Sequence, residues 1–142
     1  MNPARPLGLL VKIFPKLSET FILEEVLGLE RLGVALRLYA LQPPTDAIAH
    51  PAVARVRAPL VVVPEATWAQ APGFAARHLE LLATGPRGYL RGLLAAARRG
   101  RQGWRDFARA GWLAVQLRRD GVAQLHTHFI STPADVAELA AA

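Results

Sequence analysis

Residues 7–33 constrain the fold more than any other segment, because an apolar run leads through a polar turn into an amphipathic helix. The run LGLLVKI at 7–13 is almost wholly apolar, which predicts a strand covered on both faces. Pro15 ends this strand because it has no backbone N–H to donate. The helix that follows ends at Gly33, a residue that favours a left-handed cap. Its apolar face contains Ile22, Val26 and Leu29.

The polar turn between this strand and this helix is a candidate ligand site. Open α/β sheets bind ligands at the carboxyl ends of their strands, and the first N–H groups of a helix have no partner within it. Ser18, Glu19 and Thr20 lie beside those groups, so we expect them to contact a ligand. A purely structural interpretation stays open, in which Ser18 caps the helix and Glu19 complements the helix dipole.

Strand and helix signals alternate along the rest of the chain. Further strands are predicted at 34–41, 60–63 and 123–129, helices within 67–120 and at 132–142, and a loop at 45–59. Breaks near Gly85 and Gly100 divide 67–120 into three helices. This alternation predicts an α/β fold, with a Rossmann-like, doubly wound parallel sheet and helices on both faces. At 142 residues the chain suits a single domain.

Composition excludes several kinds of site. The chain has no cysteine, so it can form no disulfide, thiolate metal site or cysteine nucleophile. No run approaches the roughly 20 apolar residues that span a bilayer. We therefore expect a cytoplasmic protein that could associate peripherally with the inner face of the plasma membrane.

The net charge of +6 is concentrated between residues 77 and 119, where ten arginines accompany two acidic residues. Arg101, Arg105 and Arg109 recur at intervals of four, and Trp104 belongs to an aromatic face of the same predicted helix. These residues could face an anionic membrane, or bind nucleic acid without a recognised motif. They could also form a surface helix with its aromatics in the core and its arginines solvated. Arginine greatly outnumbers lysine, so compositional bias could explain part of this charge.

His126 and His128 are the histidines whose spacing suggests a site. Residues two apart on a strand point to the same face, so both imidazoles could line one pocket or bind one metal ion. A metal ion needs further ligands; the nearest acidic candidate is Asp135, and His50 and His78 lack metal-site spacing. We therefore predict no metal site. A buried strand-end histidine that is hydrogen-bonded to the backbone is the structural alternative.

Two motifs together resemble a known enzyme family. The segment KIFPKLSETFILEEVLGLERLG at 12–33, followed by HTHF at 126–129, resembles the N-terminal half of family 4 glycosyltransferases of GT-B fold. The likeness is greatest to the bacterial branch that builds exopolysaccharides such as colanic acid. It covers roughly residues 7–41 and 122–140. Family members often have alanine where this chain has Thr127 and Ile130.

The resemblance implies a metal-independent retaining glycosyltransferase that moves a sugar from a nucleotide sugar to a polysaccharide or lipid-linked glycan acceptor. It places His128 against the transferred sugar as the catalytic residue. His126, two residues earlier on the strand and so deeper in the sheet, would orient the His128 side chain. The polar residues of the turn would border the acceptor or the phosphates of the donor, namely Lys16, Ser18, Glu19 and Thr20. The protein would mainly supply orientation and electrostatic stabilisation, because the leaving phosphate helps to deprotonate the acceptor.

The resemblance also implies that the chain is one part of an enzyme. Family members carry a second Rossmann-like domain with a paired-glutamate motif, which holds the donor, and that sequence is absent here. We expect residues 1–142 to be the N-terminal, acceptor-side domain, incomplete at its C-terminus, inactive alone and without a cofactor. A non-catalytic Rossmann-like module or a membrane adaptor stays an alternative. The expected partners are a nucleotide sugar, a glycan acceptor and an anionic membrane surface, whereas nucleic acid is disfavoured.

Overall fold

The computed structural model describes residues 5–16, 19–44 and 50–127. One four-stranded parallel sheet has the order β3-β2-β1-β4. Its strands are β1 (Leu7–Ile13), β2 (Leu36–Gln42), β3 (Leu60–Val62) and β4 (Gln124–Thr127). The helices are α1 (Thr20–Arg31), α2 (Ala71–Thr84), α3 (Pro86–Arg98) and α4 (Gly100–Arg119), with short 3₁₀ helices at Pro51–Arg55 and Trp68–Gln70. This arrangement confirms the predicted α/β class and its parallel sheet.

Local signals in the sequence place most element boundaries correctly. Strand β1 has the predicted bounds, and Gly33 has the left-handed φ of 78° that was expected at the end of α1. Strand β2 starts two residues later than predicted, because the Val34 N–H donates to the Leu29 carbonyl at 3.0 Å and so belongs to the helix end. The predicted loop at 45–59 contains a 3₁₀ helix, and the predicted helix at 132–142 lies outside the described residues.

Each face of the sheet has its own apolar core, because side chains alternate between the faces along a strand. Helix α1 covers one face, with a core that includes Leu9, Val11, Leu38, Ile22 and Val26. Helix α4 covers the other, with a core that includes Leu10, Tyr39, Leu41, Ala110 and Leu113. Burial on both faces explains why β1 and β2 are almost continuously apolar in sequence. It also confirms that helices lie on both sides of the sheet.

Helices α2 and α3 pack on α4, and His78 holds the three together. Its Nε2 lies 3.0 Å from the Ala108 carbonyl oxygen of α4, and its Nδ1 lies 3.2 Å from the Tyr89 hydroxyl of α3. A Cβ atom on Gly111 would overlap the imidazole, so a glycine is needed there for the close approach. His78 is therefore a packing residue of the helical layer.

A polar network joins the start of β2 to the end of α4. The buried Tyr39 hydroxyl donates to Asp120 Oδ2 at 2.6 Å, and Arg37 Nη1 lies 3.3 Å from Asp120 Oδ1. Burial raises the pKa of the Tyr39 phenol well above its usual value, and the hydrogen bond to Asp120 raises that pKa further. The network fixes the amino end of the sheet against the last turn of α4.

We predict that Tyr39→Phe lowers the free energy of unfolding by about 1.5–3 kcal/mol, because a carboxylate loses a short hydrogen bond. Tyr89→Phe is the matched control and should cost about 0.5–1.5 kcal/mol, since its partner is an imidazole. The folded-state pKa of Tyr39 is raised, so the stability that the protonated phenol contributes is fully present below the ordinary tyrosine pKa of about 10. That contribution to the free energy of unfolding declines as the pH rises further. Urea unfolding of both variants at neutral and alkaline pH measures these differences, and equal losses would contradict the ranking.

Candidate ligand-binding cleft

A cleft of about 440 Å³ opens at the carboxyl ends of β1 and β2, beside the first turns of α4. The segment that follows β3 closes one side of it. Its polar lining residues are Lys12, Gln42, Glu65, Thr67, Gln102, Arg105, Asp106 and Arg109. The cleft therefore lies at the edge where open α/β sheets bind ligands.

A second cleft, of about 570 Å³, lies at the opposite edge of the sheet, and three of its charged side chains, Glu30, Arg37 and Asp120, already have protein partners. Arg37 pairs with Asp120 there. Glu30 Oε1 accepts the backbone N–H groups of Arg57 and Ala58 at 2.9 and 2.8 Å. These groups stabilise the fold, so the carboxyl-edge cleft is the stronger candidate for ligand binding.

Arg109 forms the inner wall of the carboxyl-edge cleft by joining α4 to the sheet. Its guanidinium donates to the carbonyl oxygens of Leu41, Val63 and Pro64, at 3.1 Å for Val63 and 3.3 Å for Pro64. These carbonyls lie near the carboxyl ends of β2 and β3. Burial lowers the pKa of Arg109 from its ordinary value, and two nearby carboxylates oppose that shift. Arg109 thus holds the wall in place.

Asp106 supports the same wall from one turn earlier on α4. Only 2% of its surface is exposed, and its Oδ1 accepts a hydrogen bond from Gln102 Nε2 at 2.9 Å. A carboxylate removed from water needs such donors, because an unpaired buried charge is costly. The contact also fixes the Gln102 side chain at the mouth of the cleft.

Lys12, Glu65 and Arg105 are the exposed charged residues of the cleft. Lys12 lies on the α4 face of the sheet, because Leu10, two residues earlier on β1, belongs to the α4 core. In the sequence, this lysine stands inside an otherwise apolar run. Two cations at the rim suit an anionic group such as a phosphate, to which both lysine and arginine make charge-assisted hydrogen bonds.

Gln42 and Thr67 add uncharged donors and acceptors to the lining. An amide and a hydroxyl can each both donate and accept, as the hydroxyl groups of a sugar require. The cleft as a whole can therefore hold a ligand that combines an anionic group with several hydroxyls. Polar residues at strand ends are the sequence signal that would have found these positions.

The described residues of the polar turn predicted as a ligand site, Lys16, Glu19 and Thr20, do not line this cleft. Lys16 Nζ lies 3.5 Å from Glu19 Oε1, so these two side chains pair with each other. Glu19 precedes α1 without a side-chain cap bond, and the exposed Thr20 begins the helix. Ser18 lies outside the described residues. Phe14, buried in the α1 core, anchors the start of the turn.

His126 lies on the opposite face of the sheet from the cleft. It pairs in register with Leu9, whose side chain belongs to the α1 core, and partners in a parallel register share a face. Its Nε2 lies 3.8 Å from Glu25 Oε1 of α1, and half of its side chain is exposed. His128, the predicted catalytic residue, lies outside the described residues.

The four residues predicted to face a membrane do not form one surface. Arg101 and Trp104 are exposed at the start of α4, whereas Arg105 lines the cleft. Arg109 corrects the prediction most clearly, because its guanidinium points inward to the strand ends. On a straight helix, residues four apart differ in direction by about 40° around the helix axis. Two such steps separate Arg101 from Arg109, so the third arginine points towards the sheet.

Within residues 5–16, 19–44 and 50–127, no group of three or more His, Cys, Asp or Glu side chains could hold a metal ion. Over the same ranges no helix combines the length and apolarity that crossing a membrane requires. Comparison with known protein families, curated proteins and solved structures finds no match to this chain. A function is therefore inferred from the cleft and from the resemblance in sequence.

We predict that Arg109→Gln lowers the free energy of unfolding by about 3 kcal/mol, because several charge-assisted hydrogen bonds to strand carbonyls are lost. Arg101→Gln, at an exposed position two turns earlier on the same helix, should change stability by about 0.5 kcal/mol or less. Chemical denaturation of the two variants tests this. If both variants lose the same small amount of unfolding free energy, Arg109 is an ordinary surface side chain.

Proposed function

We propose that this chain is the acceptor-side domain of a retaining glycosyltransferase of GT-B fold. Such an enzyme transfers a sugar from a nucleotide sugar to a growing polysaccharide or lipid-linked glycan. The observation that carries the proposal is the polar cleft at the carboxyl edge of an all-parallel sheet. The resemblance of residues 12–33 and of HTHF to the exopolysaccharide branch of family 4 supplies the reaction class.

The chemistry of the cleft supports an acceptor that is both charged and rich in hydroxyl groups. Lys12 and Arg105 would bind a phosphate, while Gln42 and Thr67 would hydrogen-bond sugar hydroxyls. A glycan linked through phosphate to a lipid presents both kinds of group side by side. The half-buried Arg109 would keep the lining rigid, which favours orientation of the attacking hydroxyl.

In the proposed reaction, the bond between the sugar and the donor phosphate breaks while a bond from the acceptor oxygen forms on the same face of the sugar. The leaving phosphate oxygen takes the proton of the acceptor hydroxyl. The protein would stabilise the charge that develops on the sugar and the phosphate. His128 remains the proposed catalytic residue at the transferred sugar, and the turn at Lys16, Glu19 and Thr20 would border the donor side. The donor itself would be held by a separate domain.

We predict that the 142-residue chain binds a short saccharide diphosphate weakly and shows no transfer activity. Lys12→Gln combined with Arg105→Gln should weaken this binding about tenfold or more, because charge-assisted hydrogen bonds are lost. Arg31→Gln combined with Arg55→Gln removes the same charge on the α1 side and should leave binding unchanged.

Isothermal calorimetry and a transfer assay measure both quantities. Tight binding of a nucleotide sugar, or turnover by the chain alone, would contradict the acceptor-side assignment. If the Lys12 and Arg105 changes leave saccharide binding unaffected, the saccharide binds outside the cleft. A lack of saccharide binding altogether would favour a non-catalytic module.

In a polypeptide that joins this domain to a donor-binding domain, we predict that His128→Ala lowers turnover by about 10²-fold with almost no change in melting temperature. His126→Ala is the comparison, and because half of its side chain is exposed and lies on the α1 face of the sheet, it should lower turnover much less than His128→Ala does. Steady-state kinetics and thermal melts on both variants check this. If the His128→Ala enzyme is unstable but fully active per folded molecule, His128 has a structural role and not a catalytic one.

A further inference from the structure

Helix α3 exposes a face that combines leucines with arginines. Leu90 and Leu94, one turn apart, are 51% and 61% exposed. The exposed residues at helical spacing around them are Arg87, Arg91 and Arg98. Together these five residues form the α3 outer face. The other side of the helix, with Gly92 and Ala96, is buried in the contact with α4.

The α3 outer face lies in a segment with strong positive charge. Residues 81–105 contain six arginines and no acidic residue. Among the described residues, Arg87, Arg91 and Arg98 take no part in an ion pair. Several other arginines of the helical layer do have partners; Arg119 Nη2, for example, lies 3.2 Å from Glu80 Oε2. The charge on α3 is therefore open to a partner outside the fold.

We propose that the α3 outer face docks on an anionic lipid surface. The arginines would contact lipid phosphates, and the leucines would enter the boundary between the headgroups and the acyl chains. Nucleic acid would use the arginines but would offer the leucines nothing apolar to enter. This surface does not depend on the proposed sugar transfer, since none of its residues lines the carboxyl-edge cleft.

The position of this face differs from the membrane face predicted on α4 alone. Arg105 and Arg109 belong to the cleft and to its wall. Helix α3 ends at Arg98 and α4 begins at Gly100, so the outer face adjoins the first turns of α4 that line the cleft.

Cosedimentation of the 142-residue chain with vesicles tests the proposal. We expect binding to phosphatidylcholine vesicles that contain about 30% phosphatidylglycerol, weaker binding at high salt, and no binding to phosphatidylcholine alone. Arg87→Gln with Arg91→Gln should lower the partition coefficient about 30-fold, at roughly one kcal/mol per charge. Leu90→Ala with Leu94→Ala should lower it about tenfold or more.

Matched controls come from the opposite side of the sheet. Arg31→Gln with Arg55→Gln removes equal charge, and Leu32→Ala with Val34→Ala removes exposed apolar groups near α1. Both double variants should bind vesicles as the unchanged chain does. Circular dichroism confirms that each variant is folded, as expected for changes at exposed positions.

Three results would overturn the proposal. The first is equal binding to both kinds of vesicle, or none to either. The second is a loss in the arginine variant without a loss in the leucine variant, together with binding to a DNA oligonucleotide, which would indicate a polyanion site. The third is a loss of vesicle binding in the control variants that is as large as the loss in the α3 variants.

A site-specific probe gives an independent measurement, because the chain contains no cysteine. An environment-sensitive dye attached after Leu94→Cys should shift to shorter wavelength when anionic vesicles are added. The same dye after Leu32→Cys should not shift. A shift at position 32 but not at position 94 would place the contact on the other side of the molecule.

Discussion

The guanidinium of Arg109 joins helix α4 to the carbonyl oxygens near the carboxyl ends of β2 and β3, and much of the molecule is arranged around that contact. Strand ends leave carbonyl groups that the sheet does not pair, and leaving them buried without a donor would cost free energy. An arginine can reach several of them at once because its donors lie in a planar fork. The loss of solvation that lowers its pKa is offset by those carbonyls and by neighbouring carboxylates.

The position of α4 determines the position of the outer helices. Helix α3 approaches it at Gly103, where a Cβ atom would overlap the Ala96 carbonyl oxygen, and α2 approaches it at Gly111 through His78. At the other end of α4, Asp120 joins the helix to Tyr39 and Arg37 of β2. Helix α4 is thus held to the sheet at its middle, through Arg109, and at its carboxyl end, through Asp120. The carboxyl-edge cleft and the α3 outer face both take their shape from this one helix.

The carboxyl-edge cleft illustrates how fold and chemistry are connected. Parallel strands end at one edge, so side chains distant in sequence meet there: Lys12 from β1, Gln42 from β2 and Arg105 from α4. The polar turn before α1 follows the same edge, yet Lys16 and Glu19 pair with each other and do not line the cleft. A sequence motif beside a strand end is therefore a weaker guide to a site than the set of polar residues that the topology brings together.

The sequence by itself determined the α/β class, the bounds of β1, the left-handed end of α1 at Gly33 and the division of the helical segment at Gly85 and Gly100. These features follow from local chemistry, namely apolar periodicity and the backbone freedom of glycine. Only the tertiary structure decided that Lys12 and Arg105 share a cleft, that His126 faces α1, and that Arg109 points inward. Each of these depends on contacts between residues far apart in sequence, and helical spacing alone does not say which side of α4 meets the sheet.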